Sequence, residues 1–186
     1  ELLECNNCKF IFQKFIPDKN FAEELYEKYI SPEESLEKKI SNIENLKKQY
    51  HNEINLIKKI FEDKEINILE FGAGWGFWSI EARKFGFNVS CLELSKKRVD
   101  YMKSKDLKVI NSIENNSEKY DLIYSDQTFE HINNPKETLD LLNRSLNTNG
   151  YIYLNFPSSF GFKKKVSKNY TPCLLYTSPS PRDGLL

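Results

Sequence analysis

Ile66-Asn67-Ile68-Leu69-Glu70-Phe71-Gly72-Ala73-Gly74-Trp75-Gly76 is the stretch from which the rest of the chain is read. It opens with a short apolar run rich in branched residues and bounded by glycines, the mark of a buried strand rather than a helix. A helical pattern, Phe77 to Phe85, follows at once. Three glycines therefore stand at a strand-to-helix turn. Backbone passes close to a ligand at such a turn, because a Cβ there would push the ligand away. The following helix presents its N-terminus and unpaired N–H groups to the same spot.

Two cofactor classes use such a turn. Dinucleotide-binding folds want G-x-G-x-x-G. Here the third glycine comes one residue early, and the dinucleotide position holds Phe77. Glu70 closes the strand just before the loop. A carboxylate there opposes a pyrophosphate but suits a cationic ammonium group. The next strand-like run, Asn88 to Leu94, carries Glu93, placed to accept both hydroxyls of a ribose.

Working outward, Ser31-Pro32-Glu33-Glu34 is a helix start. Ser31 can cap, Pro32 fits the first helical position and Glu34 completes a capping box. Leu36, Ile40, Ile43, Leu46, Tyr50, Ile54, Ile57 and Phe61 then form one continuous apolar stripe. The stripe predicts a helix lying on the sheet or on the appendage that precedes it, with His51 off the stripe and solvated. Beyond the glycine loop, Gly86 suits a helix C-cap, and Cys91 reads as a small buried hydrophobe. Ser95 starts a helix with Val99, Tyr101 and Met102, and a strand over Leu107–Asn111 follows. A fourth strand covers about Asp121–Ser125. The loop from Asp126 to Ile132 lies at its C-terminal end, where open parallel sheets bind ligands. Asn134-Pro135 starts a helix whose Thr138, Leu139, Leu142 and Leu146 face inward. Gly150 ends a turn, and Tyr151–Phe156 is strand five. Strand-helix alternation of this kind predicts an α/β fold with a Rossmann-like, doubly wound, mostly parallel sheet.

These residues carry a resemblance. Glu70-Phe71-Gly72-Ala73-Gly74-Trp75-Gly76 resembles the first motif of class I S-adenosylmethionine-dependent methyltransferases, and Glu93 resembles their ribose-binding acid. Tyr120–Asp126 resembles their fourth strand, Phe129-Glu130-His131-Ile132 the "EH" signature after it, and Leu146–Ile152 the helix-turn-strand that begins strand five. The resemblance implies S-adenosyl-L-methionine as cofactor and a small-molecule methyl acceptor. Glu70 would hold the methionyl ammonium through water. Gly72, Ala73, Gly74, Trp75 and Gly76 would lie against the cofactor, and Glu93 would grip the ribose. The adenine contact falls to Asn111, Ser112 or backbone, and Asp126 completes the cofactor set. His131 and Glu130 are the titratable pair beside the expected methyl donor. A histidine there can deprotonate an acceptor hydroxyl or a carbon acid, or it can simply cap the next helix. The family's sheet continues beyond strand five, so the fold is expected to be truncated there, with Tyr151–Phe156 left as an association-prone edge.

Residues 1–30 read as an appendage. Cys5-Asn6-Asn7-Cys8 and the aromatic run after it resemble half of a zinc ribbon. The same arrangement ahead of a methyltransferase domain occurs in bacterial enzymes of sugar and surface-polysaccharide pathways, which makes a sugar or glycan precursor the favoured acceptor. Tetrahedral zinc needs four ligands, so Cys5 and Cys8 supply only two, and zinc is expected only in a longer protein. The other reading is two thiols in a hairpin. At the far end, residues 173–186 begin Cys173-Leu174-Leu175-Tyr176-Thr177-Ser178, which resembles a translated sequencing adapter, and they are expected to be non-native. The methyltransferase domain is thus expected over 31–172.

Composition bounds the rest. The chain has 186 residues, 39% hydrophobic and 13% aromatic, enough for a folded core. Lys plus Arg and Asp plus Glu both number 27, so no whole-molecule field draws in nucleic acid. No run approaches membrane-spanning length, and four cysteines without a framework fit a reducing cytoplasm. Lys163-Lys164-Lys165 with Lys168 is either a solvated run or a contact for an anionic substrate. Two rivals remain, a nicotinamide-dependent oxidoreductase and a non-catalytic scaffold assembled through the long helix. Oligomeric state is open.

Overall fold

Side chains alternate across a strand, and along Asn67–Phe71 that alternation sorts the core into two faces. The computed structural model describes residues 2–7, 11–15, 31–156 and 176–177. Strands β1 (Leu2–Glu4) and β2 (Ile11–Gln13) form an antiparallel pair. Helices α1 (Pro32–Ser41) and α2 (Ile43–Ile60) precede β3 (Asn67–Phe71), α3 (Phe77–Lys84), β4 (Asn88–Leu92), α4 (Lys96–Ser104) and β5 (Lys108–Ile110). Then come β6 (Tyr120–Asp126), a single turn of 3₁₀-helix (Phe129–His131), α5 (Pro135–Arg144), β7 (Leu146–Asn155) and β8 (Tyr176–Thr177). The main sheet runs β5-β4-β3-β6-β7, every pair parallel. This is the expected doubly wound α/β architecture.

On one face, Ile68, Val89, Leu122 and Tyr124 meet Tyr50, Ile54 and Ile57 of α2 and Trp78 and Ala82 of α3. Tyr124 lies stacked between Trp78, at 3.9 Å between ring centres, and Tyr153, at 5.3 Å. Such aromatic contacts add about 0.5–1.5 kcal/mol each beyond their buried area. On the other face, Leu69 and Ile123 meet Phe129 and Leu142, and Phe12 of β2 packs against the same cluster. A third group, Ala73, Cys91, Met102 and Leu107, fixes α4 beside the glycine loop.

Several elements differ from the sequence expectation. The helical stripe from Leu36 to Phe61 is broken at Asn42, whose ψ of 15° ends α1 before α2 begins. The Ser31 hydroxyl does cap α1, accepting the Glu34 N–H at 3.2 Å. His51 is not simply solvated: its Nε2 lies 2.8 Å from Glu81 Oε2, and its ring packs on Phe85. In α5 the inward residues are Leu141 and Leu142, while Leu139 is exposed. Strand β7 starts at Leu146, through the segment expected to be a turn. Asn149 takes a left-handed φ of 65°, and the register against β6 shifts between Tyr120 and Leu122.

Of the appendage, Cys5 is described and Cys8 lies outside the described residues, as does the Lys163–Lys168 run. Among the described residues no group of three or more His, Cys, Asp or Glu is arranged to hold a metal ion. Within the expected non-native tail, Tyr176 and Thr177 pair with Phe12 and Ile11 as β8, and its remaining residues lie outside the described ones. No helix among the described residues is long and apolar enough to cross a membrane.

Candidate functional site

Glu70 and Asp126 reach the same place because of strand periodicity. Glu70 shares a face of β3 with Ile68, and Asp126 shares a face of β6 with Leu122 and Tyr124. Both strands end at the carboxyl edge of the sheet, and both acids border a cavity of about 270 Å³ there. Gly72, Ala73, Gly74, Trp75, Phe77 and Trp78 supply one wall. Tyr50, Arg98, Gln127 and Thr128 also border it, and α1 covers it with Ser35 and Lys39.

The glycine loop is held from both sides. Gly72 and Ala73 donate their N–H groups to the Leu92 carbonyl at 2.9 and 3.0 Å. The glycines then divide their work. Gly76, at φ +70°, begins α3, and a Cβ on it would sit 2.5 Å from Leu107 Cδ1 and 2.8 Å from Met102 Cγ. It is required by packing. Gly74, at φ +57°, lines the cavity, and among the described residues no atom beyond its own chain neighbours lies within 4 Å of its Cβ position. It leaves room for something other than protein.

Burial pushes the Glu70 carboxyl up to about 8. The Ser79 hydroxyl, which donates to it, and the Lys39 ammonium oppose that rise, and Asp126 adds to it. The Asp126 carboxyl is raised as well, again chiefly by burial, while Asn155 donates to its Oδ1 at 2.7 Å. An acid pair so placed is poised to take up a cation.

Glu93 follows β4 at the loop. Its Oε2 accepts the Gly74 N–H at 2.8 Å, and its Oε1 accepts the Leu94 and Ser95 N–H groups at 2.9 Å. It therefore braces the loop. Trp75 donates its indole N–H to Ser35 Oγ at 3.3 Å, tying the loop to α1. Ser112 stands outside the cavity lining, its hydroxyl donating to Glu114 at 2.8 Å and accepting the Asn115 N–H.

Glu130 and His131 sit on the 3₁₀ turn after the cavity-lining Thr128, but neither borders the cavity. Glu130 is buried, with its pKa pushed up to about 7 chiefly by that burial, and its Oε2 has no hydrogen-bond partner among the described residues. His131 is lowered by burial, and its Nε2 is 3.9 Å from Glu130 Oε1. Among the lining residues, the sequence reading did not single out Ser35, Lys39, Tyr50, Phe77, Trp78, Arg98, Gln127 and Thr128. Gln127 and Thr128 carried a local signal, their place in the loop after strand four.

A larger cleft of about 540 Å³ opens at the opposite, amino-terminal ends of the strands. Its basic groups are already engaged: Lys108 pairs with Glu118, Arg83 donates to the Asp106 carbonyl and Lys119 to the Arg144 carbonyl. Open parallel sheets bind ligands at the carboxyl ends, and the glycine-loop cavity is the candidate site.

Known proteins agree with this architecture. No curated protein matches the chain significantly. Among solved structures, the plantazolicin methyltransferase BpumL with a pentazolic desmethylPZN analog and SAH superposes with a TM-score of 0.58 at 18% identity, over 81% of this chain and 62% of that one. The same enzyme with a monoazolic analog and SAH gives 0.52 at 19% identity, over 83% and 59%. The chain thus spans about three-fifths of the length of these structures. The family profile described as "Methyltransferase domain" matches residues 43–178, from the first residue of α2 to just past β8. That match spans more than half of the chain, including the glycine loop and all five strands of the parallel sheet, and the chain belongs to the methyltransferase-domain family.

Proposed function

We propose that the cavity binds S-adenosylmethionine and that the protein transfers its methyl group to a small-molecule acceptor. The observation that carries this reading is a buried acid and an open glycine on one cavity: Glu70 borders it at the end of β3, and beyond its chain neighbours no described residue occupies the space at the Gly74 Cβ position. The donor set fits the group. An amino-acid ammonium needs a carboxylate, and Glu70 and Asp126 supply two on one face. A nucleoside needs close approach of backbone, which Gly72 to Gly74 permit. The plantazolicin methyltransferase structures carry SAH on the same fold. When bound, S-adenosylmethionine brings an activated methyl group that leaves its sulfonium in an in-line displacement.

The chain's own residues then bind and orient. Glu70 and Asp126 hold the ammonium. Glu93 fixes the glycine loop through Gly74 and stands at the ribose end. His131, kept neutral by its buried setting, takes the acceptor proton, and Glu130 stands beside it as a second proton site. The C-x-x-C arrangement in residues 5–8 favours a sugar or glycan precursor as acceptor, through the resemblance it carries.

Calorimetric titration with S-adenosylhomocysteine and with NAD separates this reading from a nicotinamide oxidoreductase. Saturable binding of S-adenosylhomocysteine without NAD binding is expected. Preference for NAD, or binding of neither, would reject it.

A further inference from the structure

The charge layout of the cavity assigns a role to a helix that lies outside the matched family segment. The profile begins at residue 43, and α1 ends at Ser41. Yet α1 places Ser35 and Lys39 in the cavity lining. Two contacts fasten it there. Trp75 of the glycine loop donates to Ser35 Oγ, and Glu33 forms a 2.6 Å ion pair with Lys97 of α4. The helix spans the loop from α4 to the acid pair.

Two cations border the cavity among the described residues, Lys39 and Arg98. They serve different ends of it. The Arg98 guanidinium lies 3.7 Å from Glu93 Oε2 and over the Trp75 ring at 5.8 Å, on the Glu93 side. Lys39, in the cavity lining, is the cation whose field opposes the burial-driven rise of both Glu70 and Asp126. An α-amino acid carries its ammonium and carboxylate on one carbon. A site that takes the ammonium at Glu70 and Asp126 must therefore put the carboxylate close by, and Lys39 is the cation in reach of that place.

We infer that Lys39 is a specificity residue: it binds the carboxylate of the cofactor's amino-acid end and makes α1 the element that reads whether that carboxylate is present. This rests on the reading of the cavity as an S-adenosylmethionine site. It also explains why a cavity with two acids carries a lysine from α1. The acids alone accept any cation, and the lysine restricts them to a zwitterion.

The test compares S-adenosylmethionine with its decarboxylated form, which keeps the ammonium and sulfonium but lacks the carboxylate. Binding is measured calorimetrically on the 186-residue chain, with Lys39→Met and Lys39→Arg variants whose melting temperatures are recorded alongside. Wild type should prefer S-adenosylmethionine by about tenfold or more, as expected for one charge-assisted contact. Lys39→Met should erase that preference by weakening S-adenosylmethionine alone, and Lys39→Arg should restore most of it. Equal weakening of both ligands in Lys39→Met would overturn the inference, since it would mark a general structural role for α1. Tighter binding of both would overturn it too, since Lys39 would then only neutralise the acids. If wild type binds neither ligand, the cofactor reading falls and this inference with it. If wild type binds both equally well, only this inference falls.

Discussion

Glu93 closes its carboxylate over the backbone of Gly74, accepting that N–H at 2.8 Å while its other oxygen takes the N–H groups of Leu94 and Ser95. One side chain thus satisfies three backbone donors at the turn that shapes the cavity. Its role begins before any ligand arrives. Glu93→Ala should destabilise the ligand-free protein by about 1 kcal/mol, the range for losing part-buried hydrogen bonds whose donors water can reach, and should also weaken S-adenosylhomocysteine binding. Urea unfolding of the free protein checks it. Unchanged stability with lost binding would make Glu93 a ligand contact and nothing more.

The glycines should separate by kind of damage. Gly74→Ala clashes with no described residue but must hold a left-handed φ, at a cost of about 1–2 kcal/mol. Gly74→Val should fold and lose S-adenosylhomocysteine binding. Gly76→Ala carries the same backbone cost and adds a clash with Leu107 and Met102, typically another 1–3 kcal/mol for overpacking. Thermal melts with ligand titrations should show Gly76→Ala as the less stable of the two alanine variants. A Gly74→Val variant that binds normally would remove the loop from the site.

The acids set a pH dependence of defined sign. Glu70 stands at about 8 against an ordinary 4.5, so the folded chain keeps a proton that the unfolded chain has lost across that window. Stability should fall as pH rises from about 5 to 8. Glu130, at about 7, and Asp126 act in the same direction. His131, lowered by burial, acts oppositely as pH falls through its ordinary 6.5. Glu70→Gln should flatten the alkaline loss. Because an ammonium prefers the ionised acid, S-adenosylmethionine affinity should rise from pH 6 to 7.5 in wild type and stay level in Glu70→Gln. An affinity that falls over that range would contradict the assignment.

His131 is checked by kinetics once an acceptor is in hand. His131→Asn should lower kcat by about 10²–10⁴-fold, the span of general base catalysis, with S-adenosylhomocysteine affinity unchanged. An undiminished kcat would leave His131 as a residue of the loop alone.

Local chemistry explains what the sequence made visible. Branched residues before Gly72 and the helical period after Gly76 mark the strand, the turn and the ligand edge within eleven residues, and the structure keeps all three. Glu70 is readable for the same reason. Lys39 is not, because its meeting with Glu70 arises from the path of α1 and α2, and nothing near Lys39 marks it apart from other helical lysines. The break at Asn42 is hidden by an apolar stripe that continues in phase across it. Strand β7 was obscured by Asn149 and Gly150, which signal a turn, although the parallel pairing with β6 carries the chain through them. Ser112 stands after strand three, where the adenine contact is expected, and its hydroxyl is engaged within its own turn.

The central claim is that the glycine-loop cavity is the nucleoside site, and tryptophan fluorescence reads it directly. The chain has two tryptophans, and both Trp75 and Trp78 border that cavity. Titration of S-adenosylhomocysteine into the 186-residue chain should change the emission saturably, with an endpoint at one ligand per chain. A folded chain whose emission does not move at ligand concentrations that calorimetry shows to be saturating would place the ligand elsewhere and contradict the account.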